Sequence, residues 1–124
     1  MEGIATFLLV ALDCPDGLEL AGFYAEITGW ELDSDSEPGW AQLRSPAGAT
    51  LGFQGVDDYR APAWPSSEQP QQAHIDFEVD DLDEGEARIM AIGARKADFQ
   101  PGTTFRVYLD PVGHPFCLVL KRPS

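Results

Sequence analysis

The sequence predicts an α+β protein built from two successive β-α-β-β-β modules. Two observations carry that expectation: an internal repeat at an offset of 65 residues, and, in each half, one helical apolar period set among short strands bounded by Pro/Gly turns. At 124 residues the chain is long enough for one domain that buries roughly two-thirds of its unfolded surface, and too short for two ordinary ones. Module one is expected at about 6–56 and module two at about 73–122, with a connecting segment over 57–72.

Each module begins with a strand, about Thr6–Cys14 and His74–Val79. The offset lays Leu9-Val10-Ala11-Leu12-Asp13-Cys14-Pro15-Asp16 over His74-Ile75-Asp76-Phe77-Glu78-Val79-Asp80-Asp81, so both strands alternate and close on an Asp-rich turn. Asp16, and Asp80 or Asp81, can cap the following helix and complement its positive end. Leu20, Phe23, Tyr24 and Ile27 recur at helical spacing in the first helix, as Leu82, Ile89 and Ile92 do in the second. Gly29 and Gly93 are placed to end those helices in the left-handed region; their separation of 64 implies a one-residue deletion in the second helix.

Three shorter strands follow in each half. In module one they are about Trp30–Asp33, Trp40–Arg44 and Thr50–Val56; in module two, Arg95–Phe99, Phe105–Leu109 and Pro115–Lys121. Glu37-Pro38-Gly39, Pro46-Ala47-Gly48, Pro101-Gly102 and Pro111-Val112-Gly113 supply the turns between them. The Pro/Ser/Gln content of 57–72 rules out a regular element there, and Tyr59 and Trp64 suit a segment that packs down over a cavity mouth or pins itself to the outside of a sheet.

Charge narrows the partners. Against 21 Asp+Glu stand 8 Lys+Arg, a net charge of −13, which excludes a nucleic-acid backbone or an anionic membrane surface, because both need clustered cations. The Met1-Glu2-Gly3 start lacks a basic leader, and the longest apolar run, Ile4–Leu12 broken by Thr6, is too short to span a bilayer, so a cytoplasmic location is expected. Cys14 and Cys117 lie far apart with no CxxC spacing, which signals neither a disulfide framework nor a structural zinc cluster. The acidic run Asp80–Glu86 is explained by solvation and a helix start. No phosphate loop, GxSxG elbow or HExxH stands anywhere in the chain.

Val10-Ala11-Leu12-Asp13-Cys14-Pro15-Asp16, the Phe23-Tyr24…Thr28-Gly29-Trp30 stretch, His74–Asp83 and Tyr108-Leu109-Asp110-Pro111-Val112-Gly113-His114-Pro115-Phe116 together resemble the vicinal oxygen chelate superfamily. That superfamily groups glyoxalase I, bleomycin-resistance proteins and extradiol dioxygenases. The resemblance covers nearly the whole chain and looks closest to small glyoxalase-like proteins. It implies an open, barrel-like sheet around a cleft, with helices on the convex side, and a homodimer. Strand alternation then sends Val10, Leu12, Cys14, Ile75, Phe77, Val79, Leu51, Phe53, Phe116, Leu118 and Leu120 to the helix side. Leu9, Ala11, Asp13, Gly52, Gln54, His74, Asp76, Glu78, Cys117 and Val119 are left for the cleft.

Metal-dependent members take ligands from the first and last strand of each half, and the resemblance carries those positions onto Leu9, Gly52, His74 and Cys117. Two of the four offer no donor, so no metal cofactor is expected. A shifted set such as His74, Asp76 and Gln54 is the alternative, since Asp76 lies two residues, roughly 6.6 Å, along the strand from His74. Otherwise His74 is a strand-opening histidine bonded to Asp76, Cys117 a small buried hydrophobe, and His114 a turn residue. The expected function is metal-independent binding that sequesters or carries a small organic molecule, cationic or aromatic. Asp13, Asp76 and Glu78 would supply negative charge, Trp40, Trp64 and Tyr108 ring stacking, and Gln54, His74 and Cys117 further contacts. The alternative is a lyase, isomerase or oxygenase with an atypical metal site around His74.

Overall fold

A computed structural model of the chain describes residues 3–4 and 7–122. Thr6, the expected start of the first strand, lies outside the described residues. The chain divides into two compact units, Met1–Tyr59 and Arg60–Ser124, each a four-stranded mixed sheet with one helix.

The first unit holds β1 (Val10–Cys14), α1 (Gly17–Thr28), β2 (Glu31–Leu32), β3 (Trp40–Arg44) and β4 (Thr50–Gly55), in the sheet order β1-β4-β3-β2. The second holds β5 (Ile75–Val79), α2 (Leu82–Ala91), β6 (Arg95–Lys96), β7 (Phe105–Leu109) and β8 (Pro115–Leu120), in the order β5-β8-β7-β6. The first and last strands of each module pair in parallel, and the other pairs are antiparallel. β5, β7 and β8 begin 65 residues after β1, β3 and β4, while β6 begins 64 after β2, so the offset recovers one residue between the second and third strands.

Caps fix the helices. The Asp16 carboxylate accepts the Leu18 and Glu19 amides at 2.9 and 3.3 Å, and Asp81, rather than Asp80, accepts that of Glu84 at 2.9 Å. Gly29 (φ 71°) ends α1 by donating to the Ala25 carbonyl at 2.8 Å. Gly93 (φ 113°) follows Ile92 in a Schellman arrangement, with Gly93 N–H on Met90 O and Ala94 N–H on Ile89 O.

Each module has its own core. In the first, Leu12, Cys14, Leu20, Phe23, Tyr24, Leu43, Leu51 and Phe53 are buried, and Tyr24 stacks on Phe53 with centroids 5.6 Å apart. In the second, Ile89, Phe116 and Leu118 are buried, and Phe77 meets Phe116 edge-on. Of the strand residues expected on the helix side, Val10 and Leu120, at strand ends where cover runs out, are exposed, and Ile75, Phe77 and Val79 of β5 are half-buried. No helix among the described residues is long and apolar enough to cross a membrane.

Candidate functional site

The faces of the two sheets turned away from their helices carry most of the expected site residues, and the two modules use those faces differently. In module one the register sets Asp13, Gln54 and Trp40 in one row across β1, β4 and β3. Trp40 Nε1–H donates to Gln42 Oε1 at 3.2 Å, which pulls the indole along the sheet. The ring lies over Gly52: a Cβ there would come within 2.7 Å of the Trp40 ring and 3.3 Å of Leu9 Cδ1. Gly52 is therefore the slot that lets an indole lie flat against the strand.

That packing decides the superfamily's metal position in this module. Leu9 offers no donor, Gly52 no side chain, and the space above Gly52 is filled by apolar ring, so the residues present do not fit the four-ligand centre that the resemblance implies. Gly52→Ala should displace the indole, shift the Trp40 indole N–H resonance and cost about 1–3 kcal/mol by overpacking. The indole resonances of Trp30 and Trp64 should stay in place, and an unmoved Trp40 signal would contradict the packing.

In module two the equivalent face holds a cavity of about 260 Å³. β7 and β8 supply Phe105, Val107, Pro115 and Cys117, all of one parity, since Val107 pairs with Cys117. The approach to β5 adds His74 and Gln71, and the loops add Trp64 and Pro101. Trp64 is half-buried and leans on Phe99 with centroids 5.7 Å apart, so the connecting segment does pack down and forms one cavity wall. The lining is mainly apolar. Its polar groups are the His74 imidazole, the Cys117 thiol and Gln71, whose Oε1 is buried without a hydrogen-bond partner.

At the edge of this cavity His74 Nε2 lies 3.4 Å from Asp76 Oδ1, the pairing expected of a strand-opening histidine. Cys117 is 7% exposed. Burial, then the charge of Asp76 and a hydrogen bond to it, push its thiol up to about 11. It is therefore a neutral thiol at pH 7, which removes the activation that nucleophilic catalysis needs.

Of the nine expected binding residues, the cavity gathers Trp64, His74 and Cys117, with Asp76 beside them. Asp13, Gln54 and Trp40 sit together on the module-one sheet. Asp13, Asp76 and Glu78 are all exposed, and none of the three lines the module-two cavity. Tyr108 requires a correction. It pairs with Phe116 on the helix side, is fully buried, and its hydroxyl donates to Glu86 Oε1 at 2.9 Å, so it is a core residue with a polar tether and takes no part in the cavity. Gln71, Pro101, Phe105, Val107 and Pro115 were not anticipated; the register of Cys117 with β7 would have found Phe105 and Val107, while the loop residues have no sequence signal.

A family model described as a glyoxalase-like domain matches residues 9–119. Among curated proteins none matches. Solved structures share the fold. A glyoxalase/bleomycin resistance protein/dioxygenase family enzyme from Burkholderia phytofirmans PsJN is 18% identical at a TM-score of 0.67, covering 90% of this chain and 94% of its own. The fosfomycin resistance protein FosX from Listeria monocytogenes is 19% identical at 0.68, covering 97% and 94%. A glyoxylase/bleomycin resistance protein/dioxygenase domain from Frankia sp. EAN1pec is 20% identical at 0.67, covering 97% and 100%.

Proposed function

The chain belongs to the glyoxalase-like domain family, and we propose that it binds a small ring-bearing organic molecule in the module-two cavity and carries or sequesters it without the superfamily's four-ligand metal centre. The observation that carries this reading is the cavity itself: an apolar chamber walled by Trp64, Phe105, Pro101 and Pro115, with the unpaired Gln71 Oε1 ready to accept one hydrogen bond. Two further observations favour holding over turnover. The cavity thiol is neutral, and the module-one metal positions are closed by Leu9 and the Trp40 indole. With Asp13, Asp76 and Glu78 all exposed, ring stacking and one directed hydrogen bond define the ligand better than positive charge does.

A thermal-shift screen of ring-bearing compounds with an N–H or O–H donor tests the reading. A compound at a hundred times its Kd should add about 2.7 kcal/mol of stability. Phe105→Ala and Trp64→Ala should each weaken it at least tenfold, the scale of losing one well-packed aromatic contact, and the compound should be recovered chemically unchanged. Recovery of a converted compound would replace this reading by the lyase, isomerase or oxygenase alternative. A shift that survives both substitutions would place the ligand elsewhere.

A further inference from the structure

At the cavity edge His74, Asp76 and Cys117 form a side-chain cluster to which the binding reading assigns no ligand contact. One ligand atom each from His74, Asp76 and Cys117 lies within 4.8 Å of the other two. Two donors of a tetrahedral zinc-class ion, one sulfur and one nitrogen, stand about 3.6 Å apart, given bond lengths of roughly 2.3 and 2.1 Å. Closing the set therefore asks for side-chain shifts of up to about 1 Å, within the reach of a rotamer adjustment. His74 and Asp76 can make them, since their side chains are 44% and 56% exposed.

The repeat shows that nothing in the fold requires this cluster. At an offset of 65, His74, Asp76 and Cys117 answer to Leu9, Ala11 and Gly52, none of which has a side-chain donor. Both strands of the cluster are fixed by the parallel ladder in which Asp76 pairs with Cys117, so the carboxylate and thiol sit side by side, with the imidazole two residues upstream on the same face.

The geometry points to a thiophilic divalent-cation site confined to module two, in which His74, Asp76 and Cys117 hold one ion of the zinc class. The imidazole, carboxylate and thiolate are a donor set suited to zinc, and an ion among them relieves the repulsion that a bare carboxylate would exert on a thiolate. Binding replaces the S–H bond of Cys117 by an S–metal bond and releases one proton to solvent, with no change of oxidation state. Three protein donors leave a tetrahedral ion a fourth position for water or another donor. The site differs from the arrangement implied by the superfamily, which draws on both halves; here one half supplies every ligand, and Asp76 lies outside the four family positions. It meets the binding reading at one point, since a metal-bound Cys117 is no longer the neutral thiol that favours holding over turnover, while the apolar walls that would hold an organic ligand are unaffected.

Co²⁺ titration of tag-free, chelator-treated protein tests it, because thiolate ligation gives a near-ultraviolet charge-transfer band that carboxylate or imidazole alone does not. One Co²⁺ per chain should produce the band, and one equivalent of Zn²⁺ should abolish it. Cys117→Ser should remove the band; Cys14→Ser, in the other module's core, should leave it. His74→Ala and Asp76→Asn, at exposed positions that leave the core intact, should each weaken Co²⁺ binding at least tenfold. Absence of the band in the parent protein, its persistence in Cys117→Ser, or its loss in Cys14→Ser with Cys117 present would overturn the site.

Discussion

Tyr108→Ala should cost about 3–5 kcal/mol of unfolding free energy, the range for deleting a fully buried large aromatic ring, measured by urea denaturation. The side chain has no exposed surface and packs against Phe116 with centroids 5.8 Å apart. Its hydroxyl is one of three donors converging on the Glu86 carboxylate, the others being Lys96 Nζ at 3.0 Å and Arg106 at 3.3 Å. Tyr108→Phe keeps the ring and loses the tether, so it should cost only about 1 kcal/mol. The pair of variants separates two roles. If Tyr108 stacked on a ligand, truncation would weaken binding and spare stability; as a core residue it does the reverse.

The same convergence gives the acid limb of stability a direction. The Lys96 hydrogen bond, with help from Tyr108 and Arg106 and against some desolvation, holds the Glu86 carboxyl below its ordinary 4.5. A depressed carboxyl contributes stability that is present above its unfolded value and lost as pH falls through the folded one. Glu86→Gln should accordingly flatten part of the stability decline below about pH 4.5.

Tyr108 also shows where the sequence stops being legible. The strands, helices, caps and the 65-residue repeat were readable because each follows from local periodicity or a turn residue. β7 reads Phe105-Arg106-Val107-Tyr108-Leu109, and its helix-side face carries Arg106 and Tyr108, two residues with polar ends. They face α2 because Asp83 and Glu86 meet them there, Arg106 Nη2 lying 2.9 Å from Asp83 Oδ1. A sheet face that packs on a helix through charges inverts the usual polarity rule, so residue type points Tyr108 towards a ligand where register places it against α2. The cavity was hidden for a different reason. His74 and Cys117 are visible from strand parity, but the chamber beside them is made by Trp64, Gln71 and Pro101 arriving from irregular segments. In the sequence Gly52 stands only as a position without a donor, whereas in the sheet it admits the Trp40 ring, which the cross-strand packing alone reveals.

Cys117 in the folded, metal-free protein should react with iodoacetamide at pH 8 at least about a hundredfold more slowly than in the urea-unfolded chain. A thiol pushed up to about 11 is roughly 0.1% thiolate at pH 8, whereas an ordinary cysteine near 8.5 is about a quarter ionised, and only the thiolate reacts. Burial is the larger cause and the Asp76 charge the next, so Asp76→Asn should speed the reaction without restoring the unfolded rate. The rate should climb tenfold per pH unit with no plateau below about 11. Folding stability follows with a definite sign. The native state favours the neutral thiol, so this contribution is fully present below the ordinary thiol value and is lost as pH rises through about 11. Cys117→Ala should remove that part of the alkaline decline. A rate plateau near pH 8 would instead mean an activated thiolate in the cavity, and would move the function from carrying a molecule towards attacking one.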